Sequence, residues 1–260
     1  MRHAGGLRID HAMGLQRLFW IPEGAMAADG AYVHYPVADL VGVLADESVR
    51  ARCFVVGENL GTVPDGLRER LDAAAILSYR VLWFERAGHT FLPPAAYPAH
   101  AAACTSTHDL PTIRGWWQGS DIAERERLGL LPADAARRAE EERSREREAL
   151  RTAITAHDGA PLPANAAQAN DETLAAVVIA AHRYVAATPS ALVLVQADDL
   201  AAETDAINLP GTDRERPNWR RKVGVPAASL WRSPIGRAAV QDFAAAGRSP
   251  PADGQAPTGS

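Results

Sequence analysis

Five short apolar runs, each bounded by turn residues and spaced by helical patterns, are the feature that most narrows what this chain can fold into. They are residues 5–10 (GGLRID), 53–58 (CFVVGE), 78–84 (SYRVLWF), 101–107 (AAACTST) and 190–196 (SALVLVQ). Their alternation with helical segments predicts an α/β fold with a largely parallel sheet. The second run is continuous and β-branched, as a strand covered on both faces should be. Helices are predicted over 38–50, with Leu40, Val41, Val43 and Leu44 on one face, and over 64–71, which opens on a proline. A third spans 170–187, where Asn170 or Asp171 caps the start and Leu174, Val177, Val178 and Ala181 line the inner side. Residues 134–151 carry mixed charges at helical spacing, the pattern of a solvated helix laced with i,i+4 pairs.

Composition removes several classes of function. The net charge of −5 gives no attraction to nucleic acid or to an anionic membrane surface. No apolar run is long enough to span a bilayer, and residues 1–6 lack the apolar core of a secretory leader, so a cytoplasmic location is expected. Cys53 and Cys104 each lie in a strand-like run without spaced ligands around them, which predicts two reduced core thiols. Residues 247–260 hold no apolar side chain larger than alanine and are predicted to form a disordered tail.

Three strand candidates lead into an acid. Asp10 closes the first and Glu58 the second, while Asp109 follows the fourth within Thr107-His108-Asp109. Taken singly, each acid reads first as a helix cap or a surface charge. Together they fit a parallel barrel, whose strands all present their C-terminal ends to one catalytic face. Cleaving an acetal requires two carboxyl groups flanking the bond, and such a face can supply them.

The local strings around these acids resemble the amylomaltases, the 4-α-glucanotransferases of glycoside hydrolase family 77. Leu7-Arg8-Ile9-Asp10-His11, followed by Trp20-Ile21-Pro22, is similar to the nucleophile segment, and Gly30-Ala31-Tyr32-Val33-His34-Tyr35-Pro36 to the loop after it. Val56-Gly57-Glu58-Asn59-Leu60-Gly61-Thr62-Val63-Pro64 resembles the acid/base segment, and Thr107-His108-Asp109-Leu110-Pro111-Thr112 that of the third carboxylate. Asn208-Leu209-Pro210-Gly211-Thr212 and Asn218-Trp219-Arg220-Arg221-Lys222 resemble the closing signature. One departure stands out: the family usually carries an aspartate where Asn59 stands.

The resemblance implies a partial TIM (β/α)8 barrel, about strands 4 to 8 with helical insertions. It makes residues 1–246 the C-terminal portion of the catalytic barrel, and the strands before the nucleophile strand are expected to be absent. It implies retaining transfer on maltodextrins and other α-1,4-glucans, with Asp10 as nucleophile, Glu58 as acid/base and Asp109 stabilising the transition state. Arg8, two residues before Asp10 on the same side of a strand, is expected to keep it charged. His11, His108, Asn59, Trp20 and Asn208 are the expected substrate contacts. Neither cofactor nor metal is implied: the pairs at 10–11 and 108–109 would need further ligands, and the other histidines stand in unrelated contexts. Trp116 and Trp117, close after Asp109, read equally as sugar platforms or as core. Two rival functions remain, an α-amylase-like hydrolase on the same fold and a non-catalytic glucan-binding remnant. The intact set of three acids argues against the second.

Overall fold

A computed structural model describes residues 1–159, 161–163 and 169–248; the predicted tail beyond 248 lies outside the described residues. In chain order the strands are β1 (Gly6–Ile9), β2 (Arg17–Trp20), β3 (Ala31–His34), β4 (Phe54–Gly57), β5 (Leu77–Val81), β6 (Arg86–Ala87), β7 (Thr90–Phe91), β8 (Ala101–Cys104) and β9 (Leu192–Leu194). The helices are α1 (Val37–Ala51), α2 (Leu67–Ala73), α3 (Ile113–Gln118), α4 (Ser120–Arg127), α5 (Ala133–Asp158), α6 (Asp171–Ala186), α7 (Ala197–Leu200), α8 (Ala227–Leu230) and α9 (Pro234–Ala245). All five predicted strands form one sheet, in the order β1-β4-β5-β8-β9. β1 pairs in parallel with β4, and β4 with β5. This is the parallel sheet expected from the alternation of strands and helices, and the partial barrel implied by the family resemblance.

The chain divides into two compact units. The first comprises residues 1–80, 98–103 and 190–192, and the second the remainder. The first unit centres on the sheet. Its core gathers Ala12, Met13, Val41, Val55, Leu67, Leu71 and Ile76, with Val37 and Leu44 packed partly against them. α1 therefore turns inward the residues Val37, Val41 and Leu44, which lie at i, i+4 and i+7. Val43 does not belong to that face: two residues on from Val41 it has rotated about 200° around the helix, and it is exposed. β2 and β3 form a separate antiparallel hairpin with Phe19 opposite Tyr32.

The second unit is mostly helical. α6 supplies Leu174, Val177, Val178, Ala181, Tyr184 and Val185 to it, and the Asn170 side chain caps its start by accepting from Thr173 N at 2.9 Å. Trp83 stacks on Trp116 with ring centroids 4.4 Å apart. α5 is only partly the solvated helix its charges suggest. Arg138–Asp134 is a surface i,i+4 pair of the expected kind and Arg151–Glu148 an i,i+3 pair, but Leu150, Ile154 and the charged Arg143 are buried. Arg143 makes a bidentate pair with Asp121, both contacts at 2.8 Å, donates to Trp116 O at 2.7 Å and lies over the Trp116 ring. A planar guanidinium with that many partners can be buried without an orphaned charge.

Candidate active site

The C-terminal ends of β1 and β4 are tied together by the backbone. β1 and β4 keep parallel register to Ile9↔Gly57, and Glu58 N donates to Ile9 O at 2.9 Å. After Asp10 the chain turns sharply, because His11 takes the left-handed conformation at φ 46° and leads into a short 3-10 turn at Ala12–Leu15. That turn aims two consecutive amides at Glu58. Ala12 N donates to the Glu58 carbonyl at 2.7 Å, and His11 N donates to Glu58 Oε2 at 2.8 Å. From the other side Leu60 N donates to Glu58 Oε1 at 2.7 Å. Each carboxylate oxygen thus has a backbone donor, so the buried Glu58 side chain is held in one orientation. Gly57 makes the close approach possible: a Cβ there would come within 3.3 Å of the Ala12 and Ile76 side chains.

Asp10 is placed differently. Its side chain is 75% exposed, and Arg8 Nη1 reaches its Oδ1 at 2.7 Å. The Arg8 guanidinium also lies 5.2 Å from the centre of the Tyr79 ring. An exposed pair of this kind contributes little stability, so its effect is to orient the carboxylate. Asn59 lies at 3% exposure, and its Oδ1 accepts from Tyr79 N at 3.2 Å. It links the end of β4 to β5. Trp20 is exposed at the tip of β2 and donates from Nε1 to Tyr35 Oη at 2.9 Å.

In the second unit the residues singled out after β8 form their own cluster. Asn208 Nδ2 donates to Asp109 Oδ1 at 2.6 Å, and His108 Nε2 lies 3.1 Å from Asp109 Oδ2. The segment carrying them is fixed at both ends by one buried carboxylate. Asp199 Oδ1 accepts from Ile113 N at 2.9 Å, and its Oδ2 accepts from Thr105 Oγ1 at 3.4 Å, with His182 Nε2 3.8 Å away. Burial pushes the Asp199 carboxyl above its usual range, and the nearby His182 and these hydrogen bonds oppose the shift. Within the segment, Ser106 Oγ donates to Pro111 O at 2.7 Å. Thr112 caps α3 by accepting from Gly115 N and donates to Thr204 O.

Trp116 and Trp117 are core residues. They lie on α3, whose cap at Thr112 turns both rings into the interior, and both are buried. The residue that sequence reasoning missed is Trp219, which stands 5.3 Å from the His108 ring, centre to centre. It lies inside the closing signature, but its exposure and left-handed backbone are properties of a loop without periodicity. Among the described residues, no three histidine, cysteine or carboxylate side chains gather as a ligand group, and no helix is long and apolar enough to cross a membrane. Cys53 and Cys104 are buried free thiols.

Comparison with known proteins gives this geometry a context. The profile of the family described as "4-alpha-glucanotransferase" matches residues 1–226. A 4-alpha-glucanotransferase of Haemophilus influenzae is 39% identical over 236 residues, covering 89% of this chain and 33% of that protein. One from Mycobacterium bovis is also 39% identical, covering 87% of this chain and 31% of its own length. The chain thus spans about a third of the length of the curated relatives it matches. The amylomaltase of Corynebacterium glutamicum superposes with a TM-score of 0.83 at 33% identity, over 93% of this chain and 36% of that one. An amylomaltase of Streptococcus agalactiae, solved in complex with acarbose, has a TM-score of 0.66 at 16% identity and shares the fold. With most of its residues matched by one family profile, and with the fold of that family's solved members, the chain belongs to the 4-alpha-glucanotransferases of glycoside hydrolase family 77.

Proposed function

We propose that this chain supplies the catalytic carboxylates of a retaining 4-α-glucanotransferase, which moves α-1,4-glucan segments from a maltodextrin to the 4-hydroxyl of an acceptor glucan or glucose. One observation carries the reading. Asp10 and Glu58 follow the C-terminal ends of adjacent parallel strands, and the turn after Asp10 also grips the Glu58 carboxylate. Retaining glycosidases need two carboxyl groups about 5–5.5 Å apart, too close to admit a water between them. Neighbouring strands lie about 4.8 Å apart, so adjacent strand ends suit that spacing.

In the reaction a carboxylate oxygen of Asp10 attacks the anomeric carbon while Glu58 gives its proton to the departing glycosidic oxygen. The C–O bond of the donor breaks and a glycosyl–aspartate forms. An acceptor 4-hydroxyl then attacks the same carbon, its proton passes to Glu58, and Asp10 leaves as the carboxylate. Two inversions give net retention. Arg8 orients Asp10. In the second unit, Asp109 with Asn208 and His108 offers hydrogen bonds to glucan hydroxyls. His11 and Trp20 add contacts to the glucan.

Two further features support a larger catalytic unit than this chain. β1 and β9 are the edges of a parallel sheet, and such sheets are normally covered on both faces and closed. The relatives are also about three times as long. We therefore propose that full activity uses further barrel strands besides the five described. The exposed Asp10 carboxylate gives water the same access as a sugar hydroxyl, so hydrolysis competes wherever those strands do not cover it. A cytoplasmic location accords with two buried free thiols.

Product analysis with maltotriose tests the reading. The 260-residue chain alone should turn over weakly. Fused behind the N-terminal two thirds of the Haemophilus relative, it should yield glucose and oligomers longer than maltotriose. Glucose and maltose alone would replace transfer by hydrolysis. A well-folded fusion that leaves maltotriose untouched would overturn the assignment.

A further inference from the structure

We infer that Trp219 is a stacking platform for a pyranose ring of the glucan, placed beside the Asp109–Asn208 cluster. The inference rests on the proposed glucan activity and adds a specificity-determining residue to it.

The first observation is exposure. Trp219 is 60% exposed, although a tryptophan usually buries most of its large apolar surface. Of the other tryptophans in the same unit, Trp83, Trp116 and Trp117 are buried and Trp231 is exposed, so exposure acquires meaning only with the two observations that follow. The second is backbone conformation. Trp219 has φ 62°, a left-handed state that is a genuine outlier for so bulky a side chain and costs on the order of 1 kcal/mol or more. The fold holds the residue there nonetheless. Trp219 N donates to Ile207 O at 3.0 Å. Its neighbour Asn218 closes the loop by accepting from Leu209 N and Arg216 Nη1 and donating to Thr212 O and Oγ1. Arg216 in turn is pinned by Glu124 at 2.9 Å.

The third observation is what this loop brings together. One end supplies Asn208, bonded to Asp109, and the other presents Trp219 against the His108 ring, tilted by 49°. An indole face, an imidazole, a carboxylate and an amide thus share one small patch. A glucose unit has an apolar C–H face and a rim of hydroxyls. The indole matches the first, and Asp109 with Asn208 matches the second. A strained, exposed aromatic beside such a cluster is the arrangement that a ligand-stacking ring would have.

Isothermal titration of the full 260-residue chain with maltoheptaose tests this, using Trp219→Ala, Trp219→Gly and Trp219→Phe. The alanine and glycine variants should bind about tenfold more weakly, and the phenylalanine variant within about threefold of the parent. Glycine accepts the left-handed backbone without strain, so Trp219→Gly should melt at or above the parent temperature. Loss of affinity without loss of stability separates a platform from a packing residue. If the alanine and glycine variants bind like the parent, the platform is wrong and the glucan reading stands. A parent chain that takes up no maltoheptaose overturns the platform, while the glucan reading is decided by the products of the fusion.

Discussion

The two units position their functional groups by different means. In the first, the backbone does it: strand register sets Asp10 beside Glu58, and amide donors from His11 and Leu60 fix the Glu58 carboxylate. The core beneath is small, and Leu18, Phe19, Trp20, Ile21, Tyr32 and Val33 remain exposed. In the second, buried side chains do it: Asp199 grips both ends of the segment bearing Asp109, and Arg143 joins Asp121 to Trp116 inside a closed apolar interior. Chemistry set by hydrogen-bonded strand ends tolerates a modest core, whereas chemistry hung on an irregular loop needs an interior that cannot shift.

Changes at the paired strand ends should affect turnover most. In the barrel-completed protein Glu58→Gln is expected to lower transfer by about 10²–10⁴-fold, the range for loss of an acid–base group. Asp10→Asn should lower it at least as far. Asp10 is exposed, so the asparagine variant should stay within about 0.5 kcal/mol of the parent in urea denaturation. An active Asp10→Asn protein would remove that residue from its role.

Core truncation should show the opposite asymmetry, large in the second unit and small on the hairpin of the first. Trp117→Ala is expected to cost about 3–5 kcal/mol and Phe19→Ala under about 1 kcal/mol in the same measurement. Equal costs would show that the hairpin is better packed than its exposure indicates.

Asp199 sharpens the comparison through pH. Its folded carboxyl keeps its proton above the pH at which the unfolded chain releases it, near 3.9. Above that value the native state therefore binds more protons than the unfolded one, and stability falls as pH rises. Asp199→Asn cannot ionise, so urea midpoints measured from pH 3 to 7 should decline with pH more in the parent than in the variant. Parallel curves would mean that burial does not disfavour the charge there. The smallest effect belongs to Arg8→Ala, which should move stability by under about 0.5 kcal/mol while still reducing transfer, because an exposed pair orients more than it stabilises.

The sheet was legible because each strand is a short apolar run ending in turn residues, and Asp10 and Glu58 were legible because they close two of those runs. Where the reading failed, the deciding quantity was one that a string of letters does not carry. Val43 is the exception: its outward turn follows from its spacing to Val41, and the reading misplaced it by following apolar composition alone. For Trp116 and Trp117 the reading left platform and core equally open, and the helix that starts at the threonine cap decides for core. Arg143 is one arginine among many in α5, and only the approach of Asp121 and Trp116 sets it apart. Trp219 depends on the sign of a single φ angle in a loop without periodicity.

The left-handed turn at His11 also bears on how such a protein can be altered. Adjacent amides of one turn grip Glu58 while the preceding residue is Asp10 itself, so the proposed nucleophile and the proposed acid are joined through one turn. Under that proposal, loops exchanged elsewhere on the strand ends would leave this turn intact, and stereochemistry and substrate choice would be separable traits.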